Sequence, residues 1–488
     1  MSGSIPPILR LPDEVLQPIL LDAAGIEVDN PLSGPSGSPA RVCRRFNRVV
    51  TPHLYRHITI EACEHRTLPG SATKRRKLHE TLRNKPSLRQ HCEQLSVLLL
   101  QTSIEQRLDP DLTDDPIVLS CLVGDFVIWL ENVSHFRVVM GEFSSFPPFQ
   151  IGDPVGQNGT GEDGPAWYLF DMALSRRSYE KVTLDGMSDG ELRMPSLVRR
   201  LHAIAGTKSL AINGVRPTSR PNLVDPWING SSAITTLVIE SYDESEAKLN
   251  ELLSFPAALQ HFTLFRKNET LDPNELPSKA PWQLSSIVGA LRHHELTLKT
   301  LSVHDPNCLM RFGVDLSRFT ALRQLSLSGN ITTIPKNHGE SLNIFPPQLQ
   351  SLTLILDQLQ PVRTIPWIRD FVPQVLKQNM PLRHLRLDFI PQPIEESHED
   401  QQGESYSDGV GRIFGPDPDD WPWDTLDALA AELRAVGVSL VYPGPAMSKG
   451  ALREWMLQFG PRDYTQEWSN KWLTFGLWWG QRVDLEAV

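Results

Sequence analysis

A short hydrophobic pattern recurs through the middle of the chain. In it, an apolar residue is usually followed three positions later by a second and, two positions after that, by a third. Ten copies align on their second apolar residue: Leu95, Phe136, Val182, Leu210, Leu237, Phe262, Leu301, Leu325, Leu352 and Leu385. Because successive side chains of a β-strand point to opposite faces, the second and third apolar residues share one face. The pattern therefore predicts ten short strands, each with one buried side.

The spacing of these copies indicates a repeat architecture. Five of the nine intervals between consecutive copies are 24 to 28 residues long, within the period of about 20–29 residues that is typical of leucine-rich repeats. One repeat cannot bury its own apolar face, so neighbours must stack, and their strands form a parallel sheet along a concave surface. Between copies the chain returns, in one case by a predicted helix over Trp282 to Leu296. The predicted fold class is α/β, with an irregular leucine-rich-repeat-like solenoid over residues 61–445; unrelated strands of an ordinary α/β domain are the alternative.

Other segments interrupt or end the predicted array. The Gly- and Asp-rich residues 150–165 and the acidic residues 391–424 are predicted insertions. The second is expected to be disordered, because it has 10 acidic residues against one Arg and few aliphatic residues. Residues 424–443 predict a last helix and strand. Seven of the 12 tryptophans lie in the last 68 residues, so residues 446–488 are predicted to form a Trp-rich cap on the solenoid, or else an aromatic binding cluster.

The first 60 residues predict a small helical head. Residues 11–24 place apolar side chains at helical spacing, although Pro18 should kink or split that helix. A Pro/Gly/Ser-rich insertion over residues 28–39 follows. A second helix is expected to break at Thr51-Pro52 and to lead into a strand over His57 to Ile60. Two such helices are too small to form a core alone, so they must also pack on the rest of the chain or on a partner.

These head segments resemble the F-box motif, in particular that of fungal F-box proteins. The resemblance rests on Leu11-Pro12 with Glu14, Leu16 and Ile19, on the run Val42-Cys43-Arg44-x-Phe46, and on Leu54-Tyr55. In that family the helices dock onto the Skp adaptor subunit of a cullin–RING ubiquitin ligase. The resemblance thus implies a head that binds a Skp adaptor, and through it a cullin, and a solenoid that holds an unknown target protein. Carried over by position, the apolar contacts to the adaptor would come from Leu11, Pro12, Val15, Leu16, Ile19, Leu20, Val42, Cys43 and Phe46. This sequence departs from the family at Pro18 and in its long loop, either of which can reduce adaptor affinity.

Two alternative functions are compatible with the sequence. In one, the head only caps the array, and the chain is an interaction scaffold without a role in ubiquitin transfer. In the other, the chain is a serine hydrolase, because residues 186–190 fit the GxSxG elbow with Ser188 as nucleophile. The repeat already explains the strand before Ser188, and no HGGG-like segment precedes it. His53, His57, Cys63 and His65 lack the paired spacing of a zinc site. A non-catalytic chain without cofactor or metal is therefore expected.

Composition and charge narrow the setting. The chain is 40% hydrophobic and 22% charged, with 40 prolines and a net charge of −11, so general nucleic-acid binding is not expected. The charge is uneven, because residues 41–95 hold 13 Lys and Arg against 4 Asp and Glu. Five scattered cysteines do not form a disulfide framework, and neither a secretory signal nor a membrane-spanning segment is recognised. A cytoplasmic or nuclear location, without membrane contact, is the expectation.

Overall fold

The computed structural model describes residues 7–23, 42–63, 71–100, 116–140, 165–186, 192–193, 197, 200–216, 230–242, 244–265, 284–304, 314–328, 345–356, 361–389 and 422–443. All of the predicted insertion at 28–39, most of those at 150–165 and 391–424, the predicted C-terminal cap and Ser188 lie outside these residues. The chain divides into two compact units, Met1–Leu259 and Gln260–Val488. The predicted boundary between residues 60 and 61 falls within the first strand.

In the first unit, parallel strands follow one another in chain order. They are β1 (His57–Cys63), β2 (Gln94–Leu100), β3 (His135–Met140), β4 (Lys181–Gly186), β5 (Leu192–Arg193), β6 (Ser209–Arg216) and β7 (Thr236–Tyr242). The sheet order is β1-β2-β3-β4-β6-β7, and the short β5 pairs with β6. The helices are α1 (Asp13–Ala23), α2 (Arg44–Leu54), α3 (Ser71–Asn84), α4 (Pro116–Trp129), α5 (Pro165–Arg176) and α6 (Glu246–Ser254), with short 3-10 helices at Pro7–Arg10, Pro86–His91 and Leu201–Ile204.

The second unit has the same arrangement. Its strands are β8 (His261–Phe265), β9 (Thr300–His304), β10 (Gln324–Ser328), β11 (Ser351–Leu356), β12 (His384–Phe389) and β13 (Ser439–Val441), again parallel and in chain order. The helices are α7 (Leu284–Ala290), which continues into a 3-10 helix at Leu291–His294, α8 (Pro361–Lys377) and α9 (Pro422–Ala435). The predicted parallel sheet is therefore confirmed in each unit, and the α/β class with it.

Strand register follows the hydrophobic pattern. Within each unit the second apolar residue of one copy pairs with that of the next, as in Leu95 with Phe136 and Leu325 with Leu352. Ile58 of β1 and Leu440 of β13 extend these rows by one strand each. All three pattern positions are buried in every copy, with at most 5% of the residue surface exposed. The pattern is thus the core of both units.

A backbone ladder accompanies this register. Within each unit, the residue two positions before an aligned apolar residue has a carbonyl that accepts a hydrogen bond from the residues at the start of the next strand. The Arg56 carbonyl accepts from the amides of Glu93 and Gln94 at 2.9 and 3.1 Å, and the Arg323 carbonyl accepts from Gln350 and Ser351 at 2.8 and 3.0 Å. Because these bonds join backbone groups, they fix the spacing of the strands independently of side-chain identity.

Of the two effects predicted for Pro18, a kink or a split, the split does not occur, and the break predicted for α2 at Thr51-Pro52 is wrong. Helix α1 is not split at Pro18 but runs through it, and α2 continues through Pro52 to Leu54. A proline removes one backbone donor from a helix. In α1 that donor would bond the Glu14 carbonyl, and both Glu14 and Pro18 are exposed, so water can satisfy that carbonyl. Leu20 follows Pro18 in α1, and Leu54 follows Pro52 in α2. Both belong to or pack against the buried cluster that contains Val50, and this packing keeps each helix in place beyond its proline.

Candidate functional site

The two head helices form a small core of their own. Leu16, Leu20, Phe46 and Val50 are buried against one another, and Leu11, Cys43, Val49 and Leu54 pack around them. Of the nine residues predicted to contact an adaptor, Leu16, Leu20 and Phe46 therefore serve the α1–α2 interface, and Leu11 and Cys43 are half-buried beside it. The predicted apolar stripe of α1 therefore contains more apolar residues than the α1–α2 interface buries.

The rest of the stripe is exposed. Val15 and Ile19 lie on the outer side of α1, where they are 47% and 43% exposed, and the exposed Pro12 directly precedes the helix. Ile8, four residues before Pro12, is 40% exposed. Residues spaced three and four apart share one helix face, so Pro12, Val15 and Ile19 form a continuous apolar row, which we call the α1 row. Val42, just before α2, is also exposed. The sequence pattern did not single out Ile8.

Charged and polar contacts fix the angle between the helices. The Asp13 carboxylate accepts a hydrogen bond from Arg45 Nη2 at 2.6 Å and one from Arg48 Nη2 at 2.7 Å, and Arg45 also donates to the Leu11 carbonyl. The hydrogen bond from Arg45 is the main cause that lowers the pKa of Asp13. Cys43 caps α2, because its Sγ accepts from the Phe46 amide at 3.5 Å. Asp13 can be recognised in the sequence as an acidic residue in the first turn of a predicted helix. Its arginine partners cannot be recognised there, because they lie more than 30 residues away.

The head joins the sheet directly. Helix α2 contacts the 3-10 helix at Pro86–His91, and the chain then enters β1, which pairs along its full length with β2. Arg56, between α2 and β1, forms an ion pair with Glu93 at 2.8 Å. Burial lowers the pKa of the nearby His53, and the Arg56 charge lowers it further.

Polar side chains cover the outward face of the first unit's sheet. Arg137 of β3 forms an ion pair with Asp185 of β4 at 2.5 Å, and Asn213 of β6 donates to the other oxygen of that carboxylate at 2.8 Å. His135 lies 3.0 Å from the Thr183 hydroxyl. Burial, with the nearby positive charge of Lys181 and Arg137, lowers the pKa of His135 to about 4. This face thus combines paired charges with a neutral imidazole.

The corresponding face of the second unit is mostly uncharged near β9 and β10. His304 Nε2 lies 2.5 Å from the Ser302 hydroxyl and 3.4 Å from that of Ser326. Burial lowers the pKa of His304 to about 4. The half-exposed Phe265 ring lies 5.7 Å from the His304 ring, centre to centre. Such a surface offers hydrogen-bonding groups and one aromatic contact.

A further row lies at the N-terminal ends of the strands, two positions before each aligned apolar residue. Its members carry the backbone ladder, and their side chains also meet. In the first unit, Arg56 pairs with Glu93, and Lys208 Nζ lies 3.1 Å from Glu180 Oε1. In the second unit, Lys299 Nζ donates to Gln260 Oε1 at 2.8 Å. The repeat alignment contains this row, but the apolar pattern did not draw attention to it.

Three other features considered in the sequence are a serine nucleophile, a metal site and a membrane-spanning helix. Gly186 ends β4, and Ser188 lies outside the described residues. Among the residues that the structure describes, no three His, Cys, Asp or Glu side chains form a group that could hold a metal ion. Within that same part of the chain, no helix combines the length and the hydrophobicity needed to cross a membrane.

No protein-family model matches this chain, and no curated protein matches it significantly. The assignment of a function therefore depends on the residues and geometry described above.

Proposed function

We propose that this chain is the substrate-recognition adaptor of a Skp–cullin–F-box type ubiquitin ligase, acting in the cytoplasm or nucleus. The head would bind the Skp adaptor and, through it, a cullin, while the two strand-and-helix units would hold a target protein. The chain itself would have no catalytic residue. Holding a target beside a charged conjugating enzyme raises the effective concentration of the target's lysines, so proximity provides the rate enhancement.

We further propose that the two units are leucine-rich-repeat-like solenoid segments. Three observations support this fold: the strands of each unit are parallel and in chain order, their aligned apolar residues pair in register, and a backbone ladder joins consecutive strand entrances. An ordinary doubly wound sheet would place some consecutive strands apart and change direction at a switch point.

The exposed α1 row is the observation that carries the ligase function. The helix pair already buries Leu16, Leu20, Phe46 and Val50 internally, so Val15 and Ile19 are not needed for its own core. A row of exposed apolar side chains on a helix of a soluble protein favours a partner surface. The row coincides with three of the positions at which the F-box resemblance expects adaptor contacts.

The test is co-purification with a Skp adaptor expressed in the same cells. We expect the wild-type chain to retain the adaptor and the double variant Val15→Asp plus Ile19→Asp to lose it, because two carboxylates would have to be desolvated in the interface. Leu16→Asp would not serve, since Leu16 is 0% exposed and its replacement would disrupt the helix pair itself.

A matched control removes equally exposed apolar residues elsewhere. Ile128 and Val436 are 46% and 50% exposed, and the variant Ile128→Asp plus Val436→Asp should retain the adaptor. Equal retention by wild type and the Val15/Ile19 variant would sink the ligase proposal.

The scaffold function has one observation in its favour, the direct pairing of β1 with β2. This pairing shows that the head's last segment belongs to the sheet, as a cap would. If wild type fails to bind any Skp adaptor under conditions in which a known F-box protein binds, the scaffold function is preferred.

A further inference from the structure

The row at the strand entrances differs in charge between the two units. In the first unit its adjacent members alternate in sign where they touch, as Arg56 does with Glu93 and Glu180 with Lys208. Opposite charges on neighbouring strands stabilise a sheet modestly, and like charges directly opposite destabilise it. The first unit therefore follows the arrangement that favours its own folding.

The corresponding row of the second unit lacks this alternation of charge. This row consists of Gln260, Lys299, Arg323, Gln350 and Arg383, which we call the basic strip. Lys299, Arg323 and Arg383 are exposed, and none of them forms an ion pair with a carboxylate among the residues that the structure describes. Lys299 and Arg323 precede β9 and β10, which pair directly, so their backbones are about one strand spacing, ~4.8 Å, apart. Two adjacent cations without an acid between them are unfavourable for the unit alone.

We propose that the basic strip binds an Asp- and Glu-rich segment of a target protein, with the peptide extended across the strand entrances. This inference rests on the proposed function, because it names the partner chemistry of the target-holding part of the chain. The basic strip complements an acidic segment locally, although the chain as a whole has a net charge of −11.

The distribution of the cations favours several carboxylates over one phosphate. Arg383 precedes β12, two strands from Arg323, which is about 10 Å of sheet. A doubly charged phosphate group is best held by cations that converge on one point. Single carboxylates on an extended peptide recur every ~6.8 Å on one side, a spacing that long Lys and Arg side chains can follow along the strip. Gln260 and Gln350 add amide groups that can bond the peptide backbone.

The test uses a fluorescein-labelled peptide of alternating Glu and Ser, twelve residues long, and the full chain without adaptor. Fluorescence anisotropy at low and near-physiological salt measures its affinity. We expect the wild type to bind, with affinity falling as salt screens the contacts. The variant Arg323→Gln plus Arg383→Gln should bind about tenfold more weakly. Its fold should be retained, since the ladder bonds at these residues involve only backbone atoms.

The control variant, Lys77→Gln plus Arg83→Gln, removes two exposed cations from α3 and changes net charge equally. It should bind the peptide like wild type. Equal weakening in both variants would mean general electrostatic attraction and would overturn the inference. Tighter binding of a peptide with the same charge carried by phosphoserine, or of an oligodeoxythymidylate of equal charge, would also overturn it in favour of those ligands.

The two proposals can fail separately. The Val15→Asp plus Ile19→Asp variant should bind the acidic peptide normally, since the α1 row and the basic strip share no residue. If the chain does not bind the adaptor but binds the peptide, the basic-strip proposal stands and the ligase proposal fails. If it binds the adaptor but not the peptide, only the basic-strip proposal fails.

Discussion

His135 and His304 are two residues of the sheet faces that couple the stability of the fold to pH. Burial lowers the pKa of each from 6.5 to about 4. Between these values the unfolded chain binds protons that the folded chain does not, so stability falls as pH falls from about 6.5 towards 4. Each histidine contributes a slope of at most about 1.4 kcal/mol per pH unit in that window.

Thermal unfolding midpoints at pH 7, 5.5 and 4.5 measure this response. We expect His304→Gln, which keeps a hydrogen-bonding group beside Ser302, to lose less stability between pH 7 and 4.5 than wild type does. The exposed His293→Gln serves as control and should follow wild type. A His304→Gln curve parallel to the wild-type curve would show that this imidazole does not titrate in the folded state as described.

Neighbouring residues of helix α1 have two different roles, one in the core of the helix pair and one on its exposed surface. Leu16 is fully buried and Val15 is 47% exposed, although they are adjacent. We expect Leu16→Ala to destabilise the helix pair by about 2–5 kcal/mol, because it leaves a cavity among Leu20, Phe46 and Val50. Val15→Ala should change stability by no more than about 0.5 kcal/mol. Hydrogen exchange of α2 amides distinguishes them: faster exchange in both variants, by equal factors, would contradict the assignment.

The elements differ in how far the sequence reveals them. Strands were predictable, since ten copies of one pattern specify a buried face and a register. The helices were less predictable than the strands. Pro366 and Pro373 indicate breaks, but both lie inside the continuous helix α8. The burial of Ile368, Val372 and their neighbours outweighs the local preference of the prolines. For the candidate site, the apolar stripe of α1 was predictable. Its division into a buried and an exposed part was not, because that depends on where α2 packs.

For the molecule as a whole, stacking predicts a gradient of protection. In the second unit, β10 pairs with a neighbour on each side, whereas β13, among the described residues, pairs only with β12 and leaves Val441 50% exposed. Amides of Leu325 and Leu327 should exchange at least about tenfold more slowly than those of Leu440 and Val441. Equal rates at both places would show that the unit opens as one cooperative body.

The backbone ladder also determines how freely this architecture can diverge. Each joint between strands relies on a carbonyl and amides that every residue except proline provides, so substitutions at the joint leave the spacing intact. Connecting segments can lengthen or shorten without moving the strands. Over evolutionary time such a chain can lose recognisable similarity while keeping its stacking, and in the laboratory its connecting segments are natural places to insert an epitope or a reporter domain.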